Sequence, residues 1–147
     1  FSLCTMEQHY PVHYQGGLSH QYWFVSVGKR NVIKCIQLDS LLEEAHHFNL
    51  CLYDYDEDFK ALSDTVVTNN GDVERVFVTI AYCLSHFFIL CPKARVFFEG
   101  NSASRNRLYR MQINKYRHFW NNNYVVEIVS KHPDGILANH VALHLLH

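Results

Sequence analysis

The order of the secondary structure is decided by one segment, residues 97–110, which reads Phe97-Phe98-Glu99-Gly100-Asn101-Ser102-Ala103-Ser104-Arg105-Asn106-Arg107-Leu108-Tyr109-Arg110. Its apolar beginning predicts a strand, its Gly-Asn-Ser centre predicts a turn, and its arginine-rich end predicts the first turns of a helix. Free backbone N–H groups at a helix start favour an anion, as do serine hydroxyls and guanidinium groups. The segment therefore predicts a phosphate or carboxylate site, without identifying a reaction.

The predicted ligand-binding residues come from this segment and from two other turns. On the helix, Arg105 and Tyr109 are four residues apart and share a face, where a phosphate could lie between them. The full set is Gly100, Asn101, Ser102, Ser104, Arg105, Tyr109, Arg110, Asn69, Asn70, Asp72, Lys29 and Arg30. A structural interpretation stays open beside the functional one. In it Arg105 pairs with an acid such as Asp72, and Asp72 acts as a helix N-cap.

Catalytic chemistry is left open by the sequence, and three residues are candidates for it. A phenol beside a guanidinium, as in Tyr109 and Arg105, can exchange a proton with a bound phosphate oxygen. His118 lies in the same basic segment, and imidazole titrates near neutral pH, but it does not share the helix face of Arg105. The sequence contains no nucleophile elbow, Walker loop, dinucleotide-binding glycine pattern or kinase motif set.

Outward from this segment, the pattern predicts a single α+β domain over residues 1–147, with a mostly antiparallel sheet and two main helices on one face. Residues 1–19 are expected to form an irregular arm, and residues 20–38 a hairpin with its tip at Gly28-Lys29-Arg30-Asn31. Asn70-Gly71 and Asp72 precede an apolar stripe at helical spacing from about Val73 to Leu90. A second helix is expected from about Ala103 to Trp120, with Leu108, Tyr109 and Ile113 inside. Residues 134–147 are expected to contain a short amphipathic helix.

Composition suits a compact globular protein: 48% of the 147 residues are hydrophobic and 14% are aromatic. The five cysteines are widely spaced and form no CxxC pair, which favours a reducing cytoplasm. No apolar run of spanning length is evident, so no membrane is expected. The net charge is −1, but the charged residues are distributed unevenly along the chain. Residues 54–74 contain seven acidic residues and one basic residue, and residues 105–117 contain five basic residues and no acid.

The eleven histidines suggest a metal site, but the spacing does not support one. The candidate pairs are His9 with His13, His46 with His47, and His140 with His144. The last pair has i, i+4 spacing, yet no third ligand and no H-E-x-x-H pattern accompanies it. We therefore expect no metal and no cofactor.

The chain resembles a family of short uncharacterised bacterial proteins found mainly in the Bacteroidota. The resemblance covers roughly residues 20–115 and rests on three motifs: Val27-Gly28-Lys29-Arg30, the turn Thr68-Asn69-Asn70-Gly71-Asp72, and Gly100-Asn101-Ser102 followed by Arg105, Tyr109 and Arg110. It implies a small cytoplasmic domain with no assigned activity. Asn101 departs from the serine that the family pattern implies, so a polar turn is kept but a phosphate loop is less closely matched.

Two function classes are compatible with these observations. The first is a small cytoplasmic bacterial protein that binds RNA or a nucleotide through the arginine helix, and which acts as a toxin-like or defence-module component. The second is a non-catalytic module that binds a partner protein or a second copy of itself through its charge-polarised surface. A metal-dependent hydrolase is the weakest alternative. Whether the protein is an enzyme is left open.

Overall fold

The computed structural model describes residues 8–41, 44–63, 70–99, 103–131 and 137–146. These residues contain eight strands and three helices. The strands are β1 (His13–Gln15), β2 (His20–Val27), β3 (Asn31–Ser40), β4 (His47–Asp56), β5 (Ala61–Ser63), β6 (Arg95–Phe98), β7 (Tyr124–Lys131) and β8 (Leu137–Leu145). The helices are α1 (Val73–Leu90), α2 (Ala103–Lys115) and α3 (Arg117–Asn123).

The fold class is α+β with a mostly antiparallel sheet, which confirms the prediction. The strand order is β1-β2-β3-β4-β6-β8-β7, and β5 pairs with β4. The pairing of β4 with β6 is parallel, whereas β6 with β8 and β8 with β7 are antiparallel. The chain divides into two compact units, residues 1–38 with 51–87 and residues 39–50 with 88–147. The expectation of one domain over residues 1–147 stays a prediction.

In the first unit, α1 covers one face of the β2–β3 hairpin. That face of β2 carries the buried residues Tyr22, Phe24 and Ser26, which alternate with more exposed ones as expected for a strand with one buried side. The helix begins and ends as predicted, and its residues Phe77, Ile80, Leu84 and Phe87 are almost completely buried. Cys35 and Cys83 are reduced and completely buried.

In the second unit, α2 packs on β8 and lies on the face of the sheet that carries Val96 and Phe98. The ring of Tyr109 meets the ring of Phe98 edge-on, with 5.4 Å between their centroids. Trp120 in α3 contacts Tyr124 at the start of β7, and both are buried. Aromatic packing therefore holds α2 and α3 against these strands.

The expected C-terminal helix within residues 134–147 is wrong, because residues Leu137–Leu145 form strand β8 between β6 and β7. Val141, Ala142 and Leu143 are all buried, so both sides of this strand are covered. Their apolar spacing also fits a helix, and pairing with two neighbouring strands decides in favour of the strand. His140 and His144 are then roughly 13 Å apart along a strand.

Other expectations differ in detail from the structure. The predicted helix over Ala103–Trp120 is two helices, and Leu108 is 37% exposed whereas Tyr109 and Ile113 are buried as expected. The arm at residues 1–19 contains β1, which pairs with β2, and the buried ring of Tyr10. Asp54, expected in an acidic loop, lies in β4 and is buried.

Helix α1 is also long and apolar enough to cross a membrane by length and composition alone, with a mean hydropathy of 1.5 over its 18 residues. Polar residues interrupt its apolar sequence, so α1 does not form the continuous apolar run that is typical of a membrane span. More than half of the helix is buried inside the protein. Such burial is typical of the core helix of a globular protein.

Candidate functional site

Helix α2 and the start of α3 carry a run of basic residues in the second unit. Between positions 103 and 126 the chain has five Arg or Lys residues and no Asp or Glu. Arg107, Lys115 and Arg117 are exposed, and Arg105 and Arg110 are half-buried. We call Arg107, Lys115 and Arg117 the basic surface. Exposed cations in a stretch of sequence without Asp or Glu attract phosphate groups.

The other predicted residues of this segment have different surroundings. Ser104 and His118 are exposed, whereas Tyr109 is 2% exposed and packed against Phe98. The burial of Tyr109 favours a packing role for its ring. Gly100, Asn101 and Ser102 lie outside the described residues, so the predicted turn is not described.

The inner face of α2 also buries amide side chains. Asn106 and Gln112 are 6% and 9% exposed, and the Oε1 atom of Gln112 is buried without a hydrogen-bond partner. A buried amide oxygen without a donor costs free energy of folding, on the order of 1–3 kcal/mol.

In the first unit, Asn70 joins the tip of the β2–β3 hairpin to the start of α1. Its side-chain amide donates to the carbonyl of Arg30 and accepts from the N–H of Arg30, at 2.8 and 3.0 Å. Its own carbonyl accepts from the N–H of Lys29 at 3.1 Å. Gly28 is required at this contact, because a Cβ atom there would lie 1.9 Å from the Asn70 carbonyl oxygen. Two of the sequence motifs thus form one structural connection, which we call the tip clamp.

Asp72 completes the tip clamp from the other side. Its Oδ2 atom accepts hydrogen bonds from Tyr10 Oη and Ser26 Oγ, both at 2.5 Å. Ser26 is fully buried and also accepts from the side-chain amide of Asn70 at 3.0 Å. Burial, and then the hydrogen bond to Asp72, raise the pKa of Tyr10 above its ordinary value. Asn70 and Asp72 therefore have a structural role, because they connect the hairpin to the start of α1. Lys29 and Arg30 remain exposed at the tip.

Beside the tip lies a pocket of about 350 Å³, and four of its nine lining residues are acidic. Arg30 lies on one side of it, and the acidic lining is Asp54, Asp56, Glu57 and Asp58. Asp54 is also paired with Lys34, with Nζ and Oδ1 2.5 Å apart and both side chains at most 10% exposed. The Asp54 Oδ2 atom is buried without a partner. In the described residues, no group of three or more His, Cys, Asp or Glu side chains could hold a metal ion.

The structure thus brings some predicted residues together within each unit. Asn70, Asp72, Lys29 and Arg30 belong to one connected region, and Ser104, Arg105, Tyr109 and Arg110 share one helix; Asn69 lies outside the described residues. Sequence reasoning missed Tyr10, Ser26 and the Lys34–Asp54 pair. A lysine in an apolar alternating strand is the one signal that could have indicated the buried pair.

Comparison with known proteins identifies the family of the chain but does not identify an activity. No curated protein matches the chain. No solved structure matches it either. One family model matches residues 6–137, which is most of the chain. The protein therefore belongs to DUF6934, a family of unknown function.

Proposed function

We propose that this protein binds the phosphate backbone of single-stranded RNA, or a nucleotide, through the basic surface of α2 and α3. The observation that carries the proposal is the exposure of Arg107, Lys115 and Arg117 in a segment without any acidic residue. Contacts of this kind are independent of base sequence and release condensed counterions, so they produce affinity that falls with salt. With an overall charge of −1 the protein as a whole does not attract a polyanion, so the attraction must come from a local basic surface.

The half-buried residues of α2 support the same interpretation. Arg105 and Arg110 are partly covered, so their side chains are more restrained than those of the exposed residues. A guanidinium that is already held in place loses less conformational entropy when it binds a phosphate. We expect these two residues to orient a ligand that the basic surface attracts.

A salt titration of binding tests the proposal. Affinity for a fluorescent single-stranded RNA should be measured by anisotropy over a series of salt concentrations. The double variant Arg107→Gln/Lys115→Gln should lower the slope of log K against log salt by about 1.4, since each lost contact to a single strand removes about 0.7.

Lys60→Gln/Lys93→Gln is the matched control, because it removes two exposed positive charges outside the basic surface. This control should leave the slope unchanged within about 0.3, which is well below the loss expected for even one contact. Equal slopes for both double variants would contradict the proposal, as would the absence of binding at low salt.

A second candidate function is the binding of a partner protein, and one observation favours it. Leu108 and Met111 are 37% and 60% exposed and lie three residues apart among the basic residues of α2. Apolar groups within a charged surface are typical of the central part of a protein–protein interface. Met111→Gln should then abolish self-association or capture of an acidic partner while RNA affinity stays unchanged. Analytical ultracentrifugation separates the two functions.

The cellular role is a further part of this proposal. We propose a bacterial, cytoplasmic protein that acts without a membrane partner, as a toxin-like or defence-module component. The resemblance to bacterial proteins that share the two turn motifs supports this role. Growth arrest on expression, relieved by the product of a neighbouring gene, is the expected result. Normal growth at high expression contradicts it.

A further inference from the structure

Four polar side chains of the second unit lie together on one face of its strands. They are His47 in β4, Arg95 in β6, Glu127 in β7 and His144 in β8. Arg95 lies opposite His47 on one side and opposite His144 on the other, and His144 lies opposite Val125. Glu127 shares the face of Val125 because it follows two residues later. We call these four residues the outer-face cluster.

The outer-face cluster lies on the side of the strands opposite to α2. Phe98 contacts Tyr109 of α2, and residues of a strand alternate between its two faces. Arg95 and Phe97 therefore point away from the helix that carries the basic surface. The side chains of Arg95, Glu127 and His144 are 32%, 43% and 35% exposed, so a ligand can reach this face.

The carboxylate of Glu127 lies loosely between two nitrogen-bearing side chains. Its Oε2 atom is 3.3 Å from Nη2 of Arg95, and its Oε1 atom is 3.6 Å from Nε2 of His144. Charge-assisted N–H···O bonds are normally about 2.7–2.9 Å long. Glu127 therefore reaches both partners without making a short bond to either.

Two nitrogen atoms of the outer-face cluster have no hydrogen-bond partner. They are Nε of Arg95 and Nδ1 of His47, and both are buried. Arg95 also lies over the ring of Phe97, which holds its guanidinium plane in place, and His47 contacts the same ring. An arginine normally binds an oxyanion through two parallel N–H bonds, so the edge of Arg95 formed by Nε and Nη2 is only half used.

His144 has one nitrogen committed to the backbone. Its Nδ1 atom is 3.1 Å from the carbonyl oxygen of Leu145. A carbonyl only accepts, so Nδ1 carries a hydrogen and donates it. This fixes the ring and leaves Nε2 directed at the place that the Glu127 carboxylate now occupies.

We propose that the outer-face cluster is a binding site for a phosphate group, in which Glu127 occupies the place of the ligand until the ligand arrives. Arg95 would bind two phosphate oxygens through Nε and Nη2, with His47 and His144 on either side. Nε and Nη2 of Arg95 and Nδ1 of His47 are nitrogen donors on two adjacent strands, and such a set suits the several oxygens of a tetrahedral phosphate better than the two of a planar carboxylate. Glu127 would turn toward solvent when the phosphate enters.

This site is distinct from the basic surface and does not depend on the proposed function. It would take the phosphate of a small molecule, such as a phosphomonoester, in a defined position. The basic surface, in contrast, would attract a polyanion without a fixed geometry. The two sites lie on opposite sides of the strands of the second unit, so variants of one leave the other in place.

Phosphate titration followed by calorimetry and by NMR of the histidine rings tests the proposal. Inorganic phosphate should bind saturably in the millimolar range and shift the ring signals of His47 and His144. Glu127→Gln should tighten binding by about twofold to fivefold, the equivalent of one exposed ion pair. Arg95→Gln should weaken it at least about tenfold, and Arg95→Lys should weaken it too, because lysine cannot bind bidentately.

Three controls make the outcome decisive. Arg107→Gln should leave phosphate affinity unchanged, and Arg95→Lys should leave the salt slope of RNA binding unchanged. Acetate at the same concentrations should bind more weakly than phosphate. Binding that persists in Arg95→Gln, or an equal affinity for acetate, overturns the proposal. So does the absence of saturable binding in both the wild type and Glu127→Gln, a variant whose fold is checked by circular dichroism.

Discussion

Removing the charge of Asp54 should strongly destabilise the protein, because it leaves Lys34 charged and buried. The side chains of Lys34 and Asp54 are 7% and 10% exposed, and their ion pair is 2.5 Å long. Breaking a buried pair by replacing one partner costs about 3–5 kcal/mol. Asp54→Asn keeps the shape of the side chain, so the loss of unfolding free energy measures the effect of the charge and its hydrogen bond.

The expected loss is large enough for ordinary unfolding experiments. For a chain of this size, each kcal/mol lowers Tm by about 2–4 °C, so Asp54→Asn should lower Tm by roughly 6–20 °C. Urea unfolding followed by circular dichroism should give the same loss of free energy with an unchanged m-value. The double variant Lys34→Met/Asp54→Leu should recover most of the stability, because it replaces the pair with apolar groups.

Glu57→Gln is the matched control, since Glu57 lines the same pocket but is exposed. It should change the free energy of unfolding by less than about 0.5 kcal/mol. If Asp54→Asn costs less than about 1 kcal/mol, or the double variant is as unstable as the single one, the reasoning about a buried ion pair is refuted.

Three further predictions concern single residues. Gly28→Ala should lower Tm more than Gly16→Ala does, because its Cβ would meet the Asn70 carbonyl at 1.9 Å and overpacking costs about 1–3 kcal/mol; equal Tm values would contradict the tip clamp. Burial, and then the charge of His86, lower the pKa of His20 below 6.5. The contribution of His20 to the free energy of unfolding is therefore fully present above pH 6.5 and is lost as the pH drops through the lowered pKa. Urea unfolding of His20→Gln should show a smaller loss of this free energy at acidic pH than the wild type shows. Tyr109→Phe should keep its packing, lose about 1 kcal/mol or less, and bind RNA as the wild type does; loss of binding at full stability would restore a functional role for the hydroxyl.

Secondary structure was predicted most accurately from the sequence where several local signals agree. Helix α1 lies at the predicted position because a turn and Asp72 precede an apolar periodic segment that Pro92 follows. The β2–β3 hairpin is also as predicted, since two strongly β-forming segments flank a short polar turn. In both elements the propensity, the periodicity and the bounding residues favour the same structure.

Residues brought together over long sequence distances could not be predicted in this way. The tip clamp joins Asn70 to Ser26, which is 44 positions away, and nothing in the local pattern of either residue indicates the other. The outer-face cluster combines side chains from four strands, so it requires the strand order β4-β6-β8-β7. Strand β8 lies in the middle of this order, and its apolar spacing had led to the prediction of a helix instead.

Mapping the RNA contact by NMR tests the central claim of RNA binding most directly. In a titration of isotope-labelled protein with a short single-stranded RNA at low salt, the amide and side-chain signals of Arg107, Lys115 and Arg117 should shift together and saturate. The signals of Lys29, Arg30 and Lys93 should stay in place. The claim is contradicted if the RNA shifts no signal of the basic surface, or if the largest shifts lie at Lys29 and Arg30.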